Sequence, residues 1–145
     1  MRFTVPEKKK LTHELVIPIR WGDMDAMGHV NNTVYFRYME QARISWFDRL
    51  VPEDDAWQST GIVIANATCN YRRAITYPGM VEVKLFVGPT GGASVPTYYE
   101  LRVDADPVPY ADGAAVVVFI DMKTQKSRRI PEAIRARLER AEAEA

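Results

Sequence analysis

Arg20-Trp21-Gly22-Asp23-Met24-Asp25-Ala26-Met27-Gly28-His29-Val30-Asn31-Asn32, with residues 33–50 that follow it, is the stretch on which the reading of this chain turns. Upstream of it, Leu15, Ile17, Ile19 and Trp21 alternate with Glu14, Val16, Pro18 and Arg20, the two-residue period of a strand. Pro18 has no N–H to give to a ladder, which puts that strand at an edge or leaves it one unpaired side. Downstream, Val34, Tyr35, Tyr38, Met39, Ala42, Trp46 and Leu50 recur at three- and four-residue steps, the period of a helix. Asn31 or Asn32 can cap it, because an asparagine side chain accepts from the free N–H groups of a first turn. Phe36, Ile44 and Phe47 lie off the main stripe, so this helix is to be covered on more than one side, by a curling sheet or by a partner subunit.

Working outward, Pro52 and the acidic run from Glu53 end the helix and make a loop. Residues 61–71 read as a second strand, with Val63, Ala65, Ala67, Cys69 and Tyr71 on one face. The other face starts with Ile62 and Ile64 and turns polar at Asn66, Thr68 and Asn70, as a strand running from a core to the wall of a site would. Arg72-Arg73 follow, then a turn at Tyr77-Pro78-Gly79. Val81, Val83, Leu85 and Val87 alternate in a third strand, and residues 97–103 form a fourth. Residues 104–113, rich in aspartate and proline, read as a hairpin loop. Residues 114–122 are continuously apolar, the mark of a strand buried on both faces. Pro131 opens a charged helix expected to run to residue 145. Strand, long helix, four strands and a terminal helix make an α+β fold with a largely antiparallel sheet. The 145 residues are read as one domain, 1–145, with residues 1–10 a loosely held polar lead-in.

Nineteen basic and nineteen acidic residues cancel, so bulk charge points to neither nucleic acid nor a membrane surface. The apolar share of 47% is enough for a real core. One cysteine, Cys69, rules out an internal disulfide and a cysteine-based zinc site, and it is read as a small buried apolar group. No apolar run follows the lysines of residues 8–10, and no stretch approaches the roughly 20 apolar residues of a membrane span. A cytoplasmic protein is expected.

The chemistry of the central stretch is decided by what each alternative lacks. A calcium loop fits at Asp23, Asp25 and Gly28, but Met27 and Val34 stand where further oxygen ligands are needed. A divalent metal on Asp23, Asp25 and His29 finds no further support, since His13 is the only other histidine. An aspartyl-phosphate nucleophile belongs on a parallel sheet with helical crossovers, which this element order does not provide. Two readings stay open: a structural turn, since Asp, Gly and Asn are turn formers, and a carboxylate working beside a helix N-terminus. In the second, free N–H groups polarise a carbonyl while Asp25 attacks it or deprotonates a water. That chemistry needs no metal and suits a thioester, whose carbonyl is activated and whose thiolate leaves easily.

The motif Asp23-x-Asp25-x-x-Gly28-His29-Val30-Asn31-Asn32-x-x-Tyr35, with Glu40 further along the helix, resembles the hotdog-fold acyl-CoA thioesterases of the 4-hydroxybenzoyl-CoA thioesterase-like family. The later Tyr71-x-x-x-Ile75-x-Tyr77-Pro78-Gly79 turn and the Ile130-Pro131 ending extend the resemblance over most of the chain. It implies a five-stranded antiparallel sheet curved around a long central helix, with a short C-terminal helix. It further implies homodimers with a continuous sheet, often paired into tetramers, and active sites at the dimer interface. By position, the family's catalytic carboxylate falls on Asp25, and its carbonyl-polarising backbone N–H on Asn32. His29 lies in an HVNN run like that of acyl-carrier-protein thioesterases, although Met27 replaces the asparagine those enzymes carry. Tyr35 is expected in the helix core or the acyl pocket wall, and Arg72, Arg73 and Arg128 at the phosphates of coenzyme A. The resemblance implies no resident metal or cofactor, coenzyme A being part of the substrate. A non-hydrolytic hotdog, either a thioester-binding module or a dehydratase-like lyase, is the alternative that the fold also hosts.

Overall fold

A computed structural model describes residues 3–53 and 55–140. Strand β1 (Lys10–Pro18) leads through a 3₁₀ turn (Trp21–Asp23) to helix α1 (Asn32–Leu50). Strands β2 (Thr60–Tyr71), β3 (Met80–Val87), β4 (Ser94–Val103) and β5 (Ala111–Asp121) follow, and α2 (Glu132–Arg140) closes the order. The five strands form one antiparallel sheet in the order β1-β3-β4-β5-β2, curved around α1. This is the hotdog arrangement that the motif implies, and Pro18 does sit on an edge strand. The extension of α2 over 141–145 lies outside the described residues.

The helix packs as its period dictates. Tyr35, Tyr38, Met39, Ala42, Trp46, Phe47 and Leu50 are buried against Val81, Val83, Leu85, Tyr99, Leu101, Val117 and Phe119 of the sheet. Met39 comes so close to β5 that a Cβ on Gly113 would lie 2.8 Å from its Cε and 2.7 Å from the Thr68 carbonyl oxygen. Only a glycine lets helix and strand approach this far. Arg43, also buried, donates to the Tyr99 hydroxyl at 3.3 Å and lies over its ring, a partner that helical spacing alone does not disclose.

Four expectations need correction. The first strand stops at Pro18: Ile19 donates to the Gly79 carbonyl, and Trp21 stands in the 3₁₀ turn, 74% exposed, so alternation outruns the ladder by three residues. The β4–β5 loop is shorter than 104–113, because Ala111, Asp112 and Gly113 already pair with β2 and β4. On β5 only one face is sealed; Ala115, Val117 and Phe119 are buried while Val116 and Val118 on the outer face are half-buried.

The fourth concerns β2. Its register shifts between Ile64 and Asn66, leaving Ala65 as a bulge. Ile62 and Ile64 pair with Phe119 and Val117 on the inner face, and beyond the bulge Ala67, Cys69 and Tyr71 pair with Ala115, Gly113 and Ala111 on that same face. One extra residue exchanges the faces. The polar switch seen in the sequence is therefore a bulge that exchanges the two faces midway along the strand, with Ile64 beside it 37% exposed at the free edge.

Candidate active site

The motif folds as a tight loop that ends on the helix. Met24 and Val30 form an antiparallel bridge, the Asp25 N–H donates to the His29 carbonyl at 2.8 Å, and the Gly28 N–H returns to the Asp25 carbonyl at 3.0 Å. Gly28 has φ of +74°, a conformation that glycine adopts without a Cβ penalty. The loop is pinned to the body where Val30 N–H donates to Ile75 and Asn31 N–H to the Asp23 carbonyl.

Asn31 is the N-cap of α1, its Oδ1 accepting from the Thr33 N–H at 2.9 Å and the Thr33 hydroxyl at 2.7 Å. Its amide nitrogen faces the other way and donates to Asp25 Oδ2 at 3.3 Å, while Asp25 Oδ1 accepts from the Met27 N–H at 2.9 Å. One side chain thus caps the helix and aims the carboxylate. In the sequence Asn31 is marked only as a possible cap, and its spacing of six from Asp25 is the signal for the second contact. Asp23, by contrast, accepts from the Arg20 N–H and the Tyr38 hydroxyl, both at 2.9 Å, and so secures the loop to the helix.

Asp25, His29 and Asn32 line one shallow depression of about 330 Å³ with Met27, Tyr35 and Tyr71. Its second wall is the end of β2 and the segment after it, residues 71–74. Tyr71, not singled out from sequence as a site residue, donates its hydroxyl to the Asn32 carbonyl at 2.8 Å and meets Tyr35 edge-on, ring centroids 4.9 Å apart. Burial first, then the neighbouring Cys69, pushes the Tyr71 phenol up to about 12, so it stays a donor at neutral pH. Burial likewise raises the Cys69 thiol to about 12, leaving it a packing group rather than a nucleophile. Tyr35 is 3% exposed, and its hydroxyl donates to the Arg73 carbonyl and accepts from the Ile75 N–H, bracing the second wall from behind.

The three arginines are not equivalent. Arg72 pairs with Asp112 at 2.6 Å, and Arg73 pairs with Asp106 at 3.1 Å while its guanidinium lies 3.8 Å from the Tyr110 ring centre. Val108 N–H, then Arg73, hold the Asp106 carboxyl below its usual range. Both arginines border the depression with their charge already matched. Arg128 donates to the Thr60 hydroxyl at 3.0 Å, at the opposite end of β2 from Tyr71. One chain alone does not bring Arg128 to Asp25. Among the described residues, no group of three or more His, Cys, Asp or Glu side chains is placed to hold a metal. No helix described is long and apolar enough to cross a membrane.

Comparison with known proteins adds an independent line. The long-chain acyl-CoA thioesterase FadM of Escherichia coli is 28% identical over 127 residues, 85% of this chain and 94% of that one. The PA2801 protein of Pseudomonas aeruginosa superposes with a TM-score of 0.80 at 36% identity, covering 88% of this chain and 98% of its own. A Thermus thermophilus thioesterase, solved with coenzyme A and zinc, superposes with a TM-score of 0.77 at 30% identity over 90% of this chain and 99% of its own. The family model of the thioesterase-like superfamily matches residues 19–138, a span that takes in the whole motif loop, α1 and the entire second wall. With the curled sheet and the capped helix carrying Asp25 at its mouth, that match establishes that the chain belongs to the thioesterase-like superfamily.

Proposed function

We propose that this thioester hydrolase cleaves an acyl-CoA to the free acid and coenzyme A, with Asp25 as the reacting carboxylate and the Asn32 N–H as oxyanion donor. One observation carries the reading. The Asp25 carboxylate is held by the Met27 N–H and the Asn31 amide at the mouth of α1, where the Asn32 N–H has no acceptor among the described residues. A thioester carbonyl oxygen accepting from that N–H gains from the first-turn field of the helix as negative charge develops on it. Asp25 takes a proton from water as its oxygen attacks the carbonyl carbon, or attacks that carbon itself and forms an anhydride that water then opens. In both routes the carbon–sulfur bond breaks and the thiolate leaves. His29, exposed on the same depression, takes in this reading the role of a hydrogen-bond donor to the leaving group.

Coenzyme A recognition is proposed to need a second copy of the chain. The free edge of β2 exposes Val63 and Ile64, and an open apolar edge of this kind calls for a covering strand. Pairing β2 antiparallel with itself about the bulge sets the Thr60 end of one copy beside the Tyr71 end of the other. Arg128, whose guanidinium has no carboxylate partner among the described residues, then reaches the neighbouring depression and suits a phosphate better than the neutralised Arg72 and Arg73. The resulting homodimer can pair again into a dimer of dimers.

The test is thiol release from a panel of acyl-CoAs of graded chain length, aliphatic and aromatic, beside Asp25→Asn. Turnover by wild type and its loss in the variant are expected; wild-type-like turnover by Asp25→Asn overturns the assignment. Single turnover in H₂¹⁸O tests the nucleophilic route: water opening the anhydride at the aspartyl carbon labels Asp25, which general-base hydrolysis never does.

A further inference from the structure

The end of β2 is gripped from both faces of the sheet. On the inner face the Tyr71 hydroxyl donates to the carbonyl of Asn32, first residue of α1. On the outer face Asn70 and Asp112, 7% and 9% exposed, stand opposite each other in the β2–β5 register. Asp112 Oδ1 accepts from Asn70 Nδ2 at 2.7 Å, and its Oδ2 accepts from Arg72 Nε at 2.6 Å. Successive side chains leave a strand on opposite faces, so residues 70 and 72 are tied outside while 71 reaches in.

The outer knot has one more member. Asn70 Nδ2 also donates to the Phe3 carbonyl at 2.5 Å, and the Phe3 ring stacks on Tyr98 of β4, centroids 6.3 Å apart and planes 11° apart. Lys9 lies over the Phe86 ring of β3 at 4.7 Å. The segment before β1 therefore crosses the outer face of β3 and β4 and ends on the residue that anchors the site wall.

We propose that Tyr71 is a positioning residue that holds the first turn of α1 in place for the Asn32 N–H, and that Phe3, Asn70 and Asp112 lock Tyr71 from the outer face. This rests on the hydrolytic role proposed above for Asn32. A 2.8 Å hydrogen bond to the Asn32 carbonyl fixes the tilt of the first-turn peptides, and oxyanion stabilisation is steep in donor placement. The outer knot buries a carboxylate, an amide and part of a guanidinium with their polar atoms paired, an arrangement that tolerates little drift. A change at Phe3 or Asn70 thus reaches the reacting carbonyl through the β2 backbone and one tyrosine, without touching substrate.

The test compares Tyr71→Phe, Asn70→Ala and the double variant by kcat, KM, Tm and hydrogen exchange of the peptide spanning residues 29–35. Tyr71→Phe should lower kcat about fivefold with KM unchanged, the cost of one net hydrogen bond. Asn70→Ala should act in the same direction and more weakly, with faster exchange in 29–35. The double variant should be no slower than Tyr71→Phe alone, since both act through a single contact. Losses that multiply, or wild-type exchange in 29–35 for Asn70→Ala, overturn the proposal. If Asn70→Ala fails to fold, Phe3→Ala replaces it with the same expected pattern. If wild type releases no thiol from any acyl-CoA, the hydrolytic assignment fails on its own, and the exchange data still decide whether the outer knot holds the helix start.

Discussion

At one edge of the sheet, β1 is sewn to the helix: His13, 6% exposed, is hydrogen-bonded through Nε2 to the Ser45 hydroxyl at 2.8 Å, and Trp46 Nε1 donates to the Thr12 hydroxyl at 3.2 Å. At the other edge, β2 leaves Val63 45% and Ile64 37% exposed around a bulge, and its far end forms the wall opposite Asp25. Both strands lie at an edge, yet α1 makes side-chain hydrogen bonds to β1 and leaves the middle of β2 open. Proline and charge blunt the first edge, as edges that stay unpaired are blunted, while the second carries neither between Thr60 and Tyr71. The difference divides the labour: β1 supports stability, and β2 walls the candidate site and offers the edge on which the proposed pairing with a second copy rests. Each expectation below is a way to break that division.

The largest effect belongs to the site that the end of β2 walls, at Asp25 in the loop before α1. Asp25→Asn should cost roughly 10²–10⁴-fold in kcat, the range for losing a positioned proton acceptor. Its Tm should stay near wild type, because the amide oxygen keeps the Met27 N–H bond and only the longer, exposed 3.3 Å bond from the Asn31 amide is given up. A comparable loss of folding would show that the carboxylate is a loop strut and would collapse the distinction. Next, Ile64→Arg should weaken self-association by about 2 kcal/mol, roughly thirtyfold in Kd. Sedimentation velocity reads this directly, and activity should fall in step with the dimer. An Ile64→Arg chain that stays associated at micromolar concentration would move the interface elsewhere.

On the β1 side the expected losses fall on stability. Burial first, then Arg49, lowers the His13 pKa below its ordinary 6.5. The unfolded chain therefore binds a proton that the folded one refuses, and stability is lost as pH falls below about 6.5. Tm measured from pH 8 to pH 5 should drop through that window, and His13→Gln should flatten the drop without changing kcat at pH 8. Smallest of all, Val16→Lys, on the exposed outer face of β1, should shift stability by less than about 0.5 kcal/mol and leave association unchanged. A change in oligomeric state there would mean that β1 also meets a partner.

Much of this division was legible in the chain. Pro18 marked β1 as an edge, helical spacing from Val34 to Leu50 marked the central element, and the Asp25-to-Asn32 run marked the site. These are local signals, carried by φ restriction, side-chain period and the unsatisfied N–H groups of a helix start. What escaped was non-local. The bulge at Ala65 arises from competition between two registers against β5, and a period count along one strand reads it as a change of face. The partners of Arg72 and Arg73 are aspartates 40 and 33 positions away along the chain, so both looked available for phosphate until the fold matched their charge.

By itself the sequence determined the order of elements, the over-apolar helix and the turn that ends on it, because neighbours within a few residues settle each of these. Only the tertiary structure decided that Asn31 serves both cap and carboxylate, that Tyr71 closes the wall onto Asn32, and that β2 is the second edge of the sheet. Those depend on which surfaces are buried when a sheet curls round a helix, and burial is a property of the folded chain as a whole.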